Sequence, residues 1–426
     1  KVGKQNVLEE KDIAKIVDTY SNRMKIPGYS HLATREEVID NDYNMNIPRY
    51  VESIDSEIPH DVDAHLFGGI PQKNIEELSV LNVSSPDILK NSLNAIRPGY
   101  VELVKSIDDL TDEVLRDSRI VNKRKEVEIK SEEYVSKYWN LLRNVDGTTN
   151  ILQLRDEMLD EIKQLLSEFK FIDVYDGYQI IADIWKEALT HDIELIAASD
   201  FYTVARTREP NMVTKGTGKN KREEQDGWVG SIVPNELIAE RLYTEELNEI
   251  KNKQSRVQEV DIELSELVEA AKVEDTDENN ALYEVIKKNE EDEPQDSFEN
   301  KTVKSELKNA RKGTTEYDLL KKVDELMAEK AMLGKAIKAE EKTLKEMGYD
   351  RIMSLTNEEI DGLVHEKWFG NVAADLVNLV TIPLKAELST LDMLNKRYAN
   401  TLSELDTEIR TLEKTFETLM SEMVVE

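Results

Sequence analysis

The sequence predicts a mainly α protein: a helical domain, an antiparallel coiled-coil hairpin and a long C-terminal helix, with little β structure. Three observations carry that reading. Charged residues make up 34% and aromatic residues 6% of the 426-residue chain, with ten prolines and sixteen glycines, a balance that favours long, surface-rich helices over a compact all-β fold. Apolar residues recur at three- and four-residue spacing through most of the length, the period of one face of an α-helix. Two internal stretches and the C-terminal one hold that alternation long enough to form coiled-coil seams.

Taken in order, "NVLEEKDIAKIVDTY" places Asn6 as an N-cap with Glu9 behind it and sets Ile13, Ile16, Val17 and Tyr20 on one face, predicting a short amphipathic helix docked by that face. Pro27-Gly28 turns the chain, Thr34 with Glu37 offers a second helix start, and "NDYNMNIPRYV" (41–51) ends in extended backbone before Pro48. "DVDAHLFGGIP" (61–71) reads as a short helix closed by Gly68-Gly69, with another opening after Pro71. The text from there to about residue 170 is helical, with a few extended residues around "GYVEL". Residues 171–202 hold the densest aromatic and β-branched content, and a helix over 176–189 would bury Ile180, Ile184 and Trp185.

Leu247, Ile250, Val257, Leu264 and Val268 form one heptad-like seam, with Gln254 and Asp261 at intervening seam positions. Leu319, Val323, Leu326, Leu333, Ile337, Leu344 and Met347 form a second. Joined by a strongly acidic connector, they predict an antiparallel hairpin whose tip, near 292–300, is mobile. The final seam runs Leu391, Leu394, Tyr398, Leu402, Leu405, Ile409, Leu412, Phe416, Leu419 and Met423. A seam of that length wants a partner helix, from this chain or another subunit. The expected division is 1–60, a helical domain over 61–235, the hairpin over 236–345 and a C-terminal helical region over 346–426.

A formal charge of −32 opposes coating of DNA or anionic membrane by the whole surface, while leaving room for a local basic site. No apolar run approaches the roughly twenty residues of a spanning helix, so no membrane partner is expected. The absence of cysteine removes disulfides, thiolate catalysis and Cys-ligated zinc; it fits a cytoplasmic protein, which is the expected location, and a choice made for expression equally well. The chain opens on Lys1 without the apolar core of a signal peptide, and we expect a fragment lacking its N-terminal part.

Catalytic signatures are sparse. The five histidines stand in no HExxH or HxH spacing, and there is no GxSxG elbow, phosphate loop or GxGxxG after a strand. Asp61, Asp63 and His65 lie close enough in sequence for metal ligation, but a capped helix ending in Gly-Gly explains the same letters more simply. "ARTREPNMVTKGTGKNKREEQDGW" gathers Arg206, Arg208, Lys215, Lys219, Lys221 and Arg222 in one glycine-containing stretch. Such a patch can touch a DNA backbone, each cation displacing counterions from a phosphate; it can equally be a solvated loop. Arg119, Lys123, Arg124 and Lys125 form a second basic cluster, better read as a solvated helix face.

Several blocks together carry a resemblance. "DIAKIVDTY" followed by "YSHLATREEVIDNDYNMNIPRYV", then "DVDAHLFGGIP", "RPGY", "YDGYQIIADIWKEAL", "GWVGSIVPNELIAERLY" and "LNKRYANTLSELDTEIRTLEKTFETLMSEM" resemble, in order, the part of the methylation (M) subunit of type I restriction-modification systems that follows its catalytic domain, in the long form of that subunit. The family implies a DNA adenine methyltransferase using S-adenosylmethionine on a flipped base, working with a specificity subunit, a restriction subunit and double-stranded DNA. Its cofactor glycines and Asn-Pro-Pro-aromatic tetrad lie upstream of the matching text. No two prolines are adjacent here, and no catalytic or cofactor-binding residue is assigned. The resemblance therefore implies an assembly region, silent alone, in which residues 1–60 are the exit segment of a methyltransferase domain. Asn44, Asn46, Arg49 and Tyr50 would pack on that domain or face nucleic acid. Leu394, Tyr398, Leu405, Ile409, Leu412, Phe416 and Leu419 would seat a partner helix. A stand-alone acidic DNA mimic and a coiled-coil scaffold are the competing readings.

Overall fold

Helix starts are written into the chain as side-chain caps. The carboxylates and hydroxyls of Thr34, Asp61, Ser106, Asp173, Asp200 and Thr314 each accept a backbone N–H of the first helical turn that would otherwise lack a partner. The computed structural model describes residues 6–51, 58–215, 221–273, 277–289 and 293–423. It divides the chain into two compact units, Lys1–Ala198 with Trp368–Glu426, and Ser199–Lys367.

The first unit opens with α1 (Glu10–Ser21) and α2 (Arg35–Asp40). Helix α1 begins later than Asn6 would place it: the Asp12 carboxylate accepts the Glu9 N–H at 2.9 Å, so the capping box lies at 9–12. At α2 the expected pair forms, with Glu37 N–H donating to Thr34 Oγ1 at 3.2 Å and Thr34 N–H to Glu37 Oε2 at 2.7 Å. Short helices α3 (Val62–Phe67), α4 (Gln72–Glu76), α5 (Ser79–Ser84) and α6 (Pro86–Asn91) interleave with β1 (Ile70–Pro71), β2 (Leu93–Arg97) and β3 (Tyr100–Leu103). The strands form an antiparallel sheet with β3 central. Gly68 and Gly69 take φ of 75° and 89°, where glycine pays no steric penalty; a Cβ on Gly69 would lie 2.5 Å from Ile96 Cδ1.

Then follow α7 (Ile107–Leu115), α8 (Ser118–Leu142), α9 (Ile151–Ser167), α10 (Val174–Ile184), a π-helical turn at Trp185–Leu189, and α11 (Thr190–Ala198). The apolar segment 171–202 packs as core through Ile181, Trp185, Leu189 and Ile193, while Ile180 and Ile184 are only half-buried. The expected single helix is divided because the wider π turn rotates the face that follows.

The second unit holds α12 (Phe201–Ala205), the hairpin of β4 (Arg208–Lys215) and β5 (Arg222–Gly230), and α13 (Asn235–Leu242). Helices α14 (Thr244–Val273) and α17 (Thr315–Ile352) pack antiparallel. Ile250, Val260 and Val268 are buried on one, Leu320, Val323, Leu326, Ile337 and Leu344 on the other. Gln254 and Asp261 do not sit in the seam: they border it, bonding Glu341 and Lys330 respectively. Between the two helices lie α15 (Asp277–Glu284), β6 (Ile286–Lys288), β7 (Pro294–Phe298) and α16 (Asn300–Asn309). The connector expected to be mobile thus carries folded elements on both sides of 290–292, which lie outside the described residues. Leu282, Val285, Ile286, Phe298 and Val303 supply the reason, since together they form a core with Val268, Leu320 and Val323.

After α18 (Asn357–Phe369) come α19 (Val372–Asn378), α20 (Ile382–Arg397) and α21 (Leu402–Met423). The long C-terminal seam therefore runs over two helices. Leu391, Leu394 and Tyr398 are buried with Ala64, Leu81 and Leu110. Thr401 and Glu404 then form a fresh capping box, Glu404 N–H donating to Thr401 Oγ1 and Thr401 N–H to Glu404 Oε2. No helix among the described residues is long and apolar enough to cross a membrane.

Candidate functional site

Three surfaces marked in the sequence can be placed. The first is α1 with the segment 41–51. The side of α1 that docks is polar: the Lys11 ammonium meets Asp176 at 3.0 Å, Lys15 meets Asp173 at 3.4 Å, and Lys163 meets Asp18 at 3.0 Å. Tyr175 also donates to Asp18 at 3.2 Å, and burial followed by the charge of Asp18 pushes its phenol up to about 12. Burial pulls Lys163 down, but its hydrogen bonds to Asp18 and Asp160 outweigh this and hold the ammonium above its ordinary value. The expected docking face is reversed: Ile13, Ile16, Val17 and Tyr20 all point outward, Tyr20 86% exposed. Charged partners on α9 and α10 select the polar side, and the apolar stripe remains uncovered.

In the segment 41–51, Asp42 and Tyr43 adopt φ of 52° and 58°, Asn46 is extended ahead of Pro48 as expected, and a 3-10 turn begins at Ile47 and spans Ile47–Arg49. Tyr50 donates to the Asn44 carbonyl at 2.7 Å, and Asn44 Oδ1 accepts the Asn46 N–H at 3.0 Å. The asparagines thus hold the local turn. Arg49, Tyr43, Met45 and Ile47 are exposed beside it.

The second surface is α21 and its root. Here "DVDAHLFGGIP", "RPGY" and "LNKRYAN" converge. Arg97 donates to the carbonyls of Asp63 (2.9 Å) and Gly68 (3.0 Å) and lies over the Tyr100 ring. Tyr100 donates to Asp61 Oδ1 at 3.0 Å, and Asp61 N–H donates to Tyr398 Oη at 3.1 Å. Arg397 reaches the Ile58 carbonyl at 2.8 Å, and His65 meets Tyr398 edge-on. Asp61 caps α3 through Ala64 N–H at 2.9 Å, and that bond, opposed by burial and reinforced by Tyr100, holds its carboxyl below the usual range. The Asp61–Asp63–His65 cluster is accordingly a helix cap; His65 stacks on His60. Beyond this root, Leu405, Ile409, Leu412, Phe416 and Leu419 are 39% to 64% exposed.

The third is the basic stretch in the second unit. Arg206 donates to the Leu355 carbonyl at 2.8 Å and to Asn357. Arg208 donates to the Tyr349 carbonyl at 3.1 Å and to Asp350 at 2.8 Å, stacked over Trp228 with its guanidinium 5.0 Å from the ring centroid. Both bind their own unit. Lys215 and Arg222 are strand partners at the end of the hairpin, Lys221 is exposed, and Arg222 pairs with Glu224 at 2.7 Å. Lys219 lies outside the described residues. In the other basic cluster, Arg119 pairs with Asp117 and Asp87.

A model of the N-6 DNA methylase family matches residues 1–58, the stretch that holds α1, α2 and the 41–51 turn. The methylase subunit of the type I restriction enzyme MjaVII of Methanocaldococcus jannaschii is 33% identical over 101 residues, 24% of this chain and 15% of that relative. This protein is like a type I methylase subunit. The match spans well under two thirds of the relative's length, and no solved structure matches the chain.

Proposed function

We propose that the chain is the partner-binding, non-catalytic region of a type I methylase subunit. The observation that carries the reading is α21, a helix whose apolar seam the rest of its unit leaves uncovered although its root is held by several hydrogen bonds. The specificity subunit is the proposed occupant of that seam, with the restriction subunit joining the same assembly. The outward stripe of α1 and the exposed Met45 and Ile47 support residues 1–60 as the exit segment of a methyltransferase domain. That domain would use S-adenosylmethionine and hold the flipped adenine, which needs polar acceptors and a stacking wall. Double-stranded DNA is reached through the complex. Within the basic stretch, Lys215, Lys221 and Arg222 at the end of the β4–β5 hairpin, with Lys219 of the same stretch, are the proposed backbone contact, because Arg206 and Arg208 are bonded across to residues 349–357, whereas Arg222 pairs with Glu224 on its own strand.

Co-expression with the specificity subunit tests the assembly role. Association should be lost on deleting residues 402–426 and kept when Lys221 and Arg222 are replaced by alanine. A deletion variant that still copurifies refutes the role of α21. Calorimetric binding of S-adenosylmethionine by this chain would refute the non-catalytic part.

A further inference from the structure

The borders of the α21 seam carry information that its apolar centre does not. With Leu402, Ile409 and Phe416 at one seam position and Leu405, Leu412 and Leu419 at the other, spacing assigns the flanking positions to Asp406, Glu408, Glu413, Thr415 and Met420. The charged ones are all acidic. Arg410 and Lys414 fall on the far side, away from any helix lying in the seam. Residues 404–421 are exposed throughout, so these carboxylates are accessible to a helix lying in the seam.

Three occupants can be compared on charge. A parallel second copy sets Glu408 opposite Glu413 of the other copy, and an antiparallel one sets Glu413 or Glu408 against its own equivalent. Like charges at flanking positions disfavour both arrangements, and a net charge of −32 on each chain adds long-range repulsion. An anionic membrane surface is disfavoured for the same reason, since interfacial helices flank their apolar face with Lys and Arg. A helix from a different protein, with lysine or arginine on both borders of its apolar seam, meets no such opposition.

We propose that α21 selects a basic-flanked amphipathic helix of a different protein and rejects a second copy of this chain. The inference rests on the assembly reading above and adds the chemistry by which the partner is chosen.

The test uses the full chain and two synthetic helices with identical Leu/Ile seams, one carrying Lys at every flanking position and the other Glu. The Lys-flanked helix should bind about tenfold or more tighter at low salt, an advantage that shrinks as ionic strength rises. The triple variant D406K/E408K/E413K, altered only at exposed positions, should reverse the order of the two peptides; unchanged hydrogen exchange in α20 would confirm that its fold is kept. Equal affinities, binding of neither peptide, or a chain dimer that Phe416→Asp converts to monomer would each overturn the proposal. Equal affinities would still leave association with the specificity subunit standing. Loss of that association with the peptide preference intact would instead count against the identity of the partner.

Discussion

Replacing Arg208 by alanine separates a structural cation from a nucleic-acid contact. Its side chain is 24% exposed and joins β4 to the end of α17. The stack on Trp228 contributes about 0.5–1 kcal/mol. Its hydrogen bond to the Tyr349 carbonyl, made by a charged donor, contributes about 1.5 kcal/mol at the low end of the range for such bonds. The Asp350 carboxylate is 70% exposed, so solvent screening leaves that pair near the bottom of the roughly 0–1 kcal/mol range of surface ion pairs. Together these give a loss of about 2–3 kcal/mol, or a fall of roughly 5–10 °C in the melting temperature of a unit this size. Hydrogen exchange of the β4 and β5 amides in rising urea reads the loss directly. Arg208→Lys should recover only part of it, because lysine keeps the charge but not the planar stack. Unchanged stability with weakened DNA retention would refute the reasoning and return Arg208 to the DNA-contact set.

Because the apolar face of α1 points outward, Ile16→Ser and Tyr20→Ser should each change the urea midpoint of this chain little, within about 0.5 kcal/mol; a loss of several kcal/mol would mean the face is buried. The Asp61 carboxyl is depressed in the folded state, so its contribution is fully present above the unfolded carboxylate value of about 3.9 and is lost as pH falls through the lower folded value. Stability measured between roughly pH 6 and pH 3 should therefore drop less steeply in Asp61→Asn than in the parent chain. Without a partner, α21 should exchange its amides much faster than α20, since an uncovered helix lacks the tertiary packing that supplies most helical stability.

What could be read from the sequence divides by physical range. Caps are local, so Thr34 with Glu37 and the Gly68-Gly69 helix end were legible, and so was the α14–α17 pairing, which rests on seams repeated along each helix. Periodicity marks an apolar face but not what it meets, which is why the sequence predicts docking by Ile13, Ile16, Val17 and Tyr20 while the structure turns them outward. The partners that turn α1 are charges on α9 and α10, more than 140 residues away in sequence. Likewise Arg206 and Arg208 bond residues 149 and 141 positions away, with no local signal. The break between α20 and α21 did have a signal, the Thr401 to Glu404 spacing of a capping box, but it was hidden inside an unbroken three-four alternation. In the acidic connector, composition masked Ile286, Phe298 and Val303, few residues that suffice because they pack on helix ends already in place.

The energy available in the α21 seam decides how much the flanks and root must supply. Six seam side chains, each about half exposed, could gain roughly 1 kcal/mol apiece on burial, about 5–8 kcal/mol in all. That is of the same order as the roughly 4–15 kcal/mol cost of association, so apolar burial alone does not hold a partner tightly. Two features of the chain can tip the balance. The acidic flanks supply attraction to a basic-flanked helix, and the root at Asp61, Arg97 and Tyr398 holds the end of α20 from which α21 leaves, where α21 packs on α3 before the partner arrives. A free peptide of residues 402–423 keeps the first and loses the second, and must be ordered from a chain that is marginally helical in water. It should therefore bind the Lys-flanked helix more weakly than the full chain does, with a larger gain in helical circular dichroism on binding. Equal affinity would show that the root anchors α21 without preparing it, leaving the flanking charges to account for selection alone.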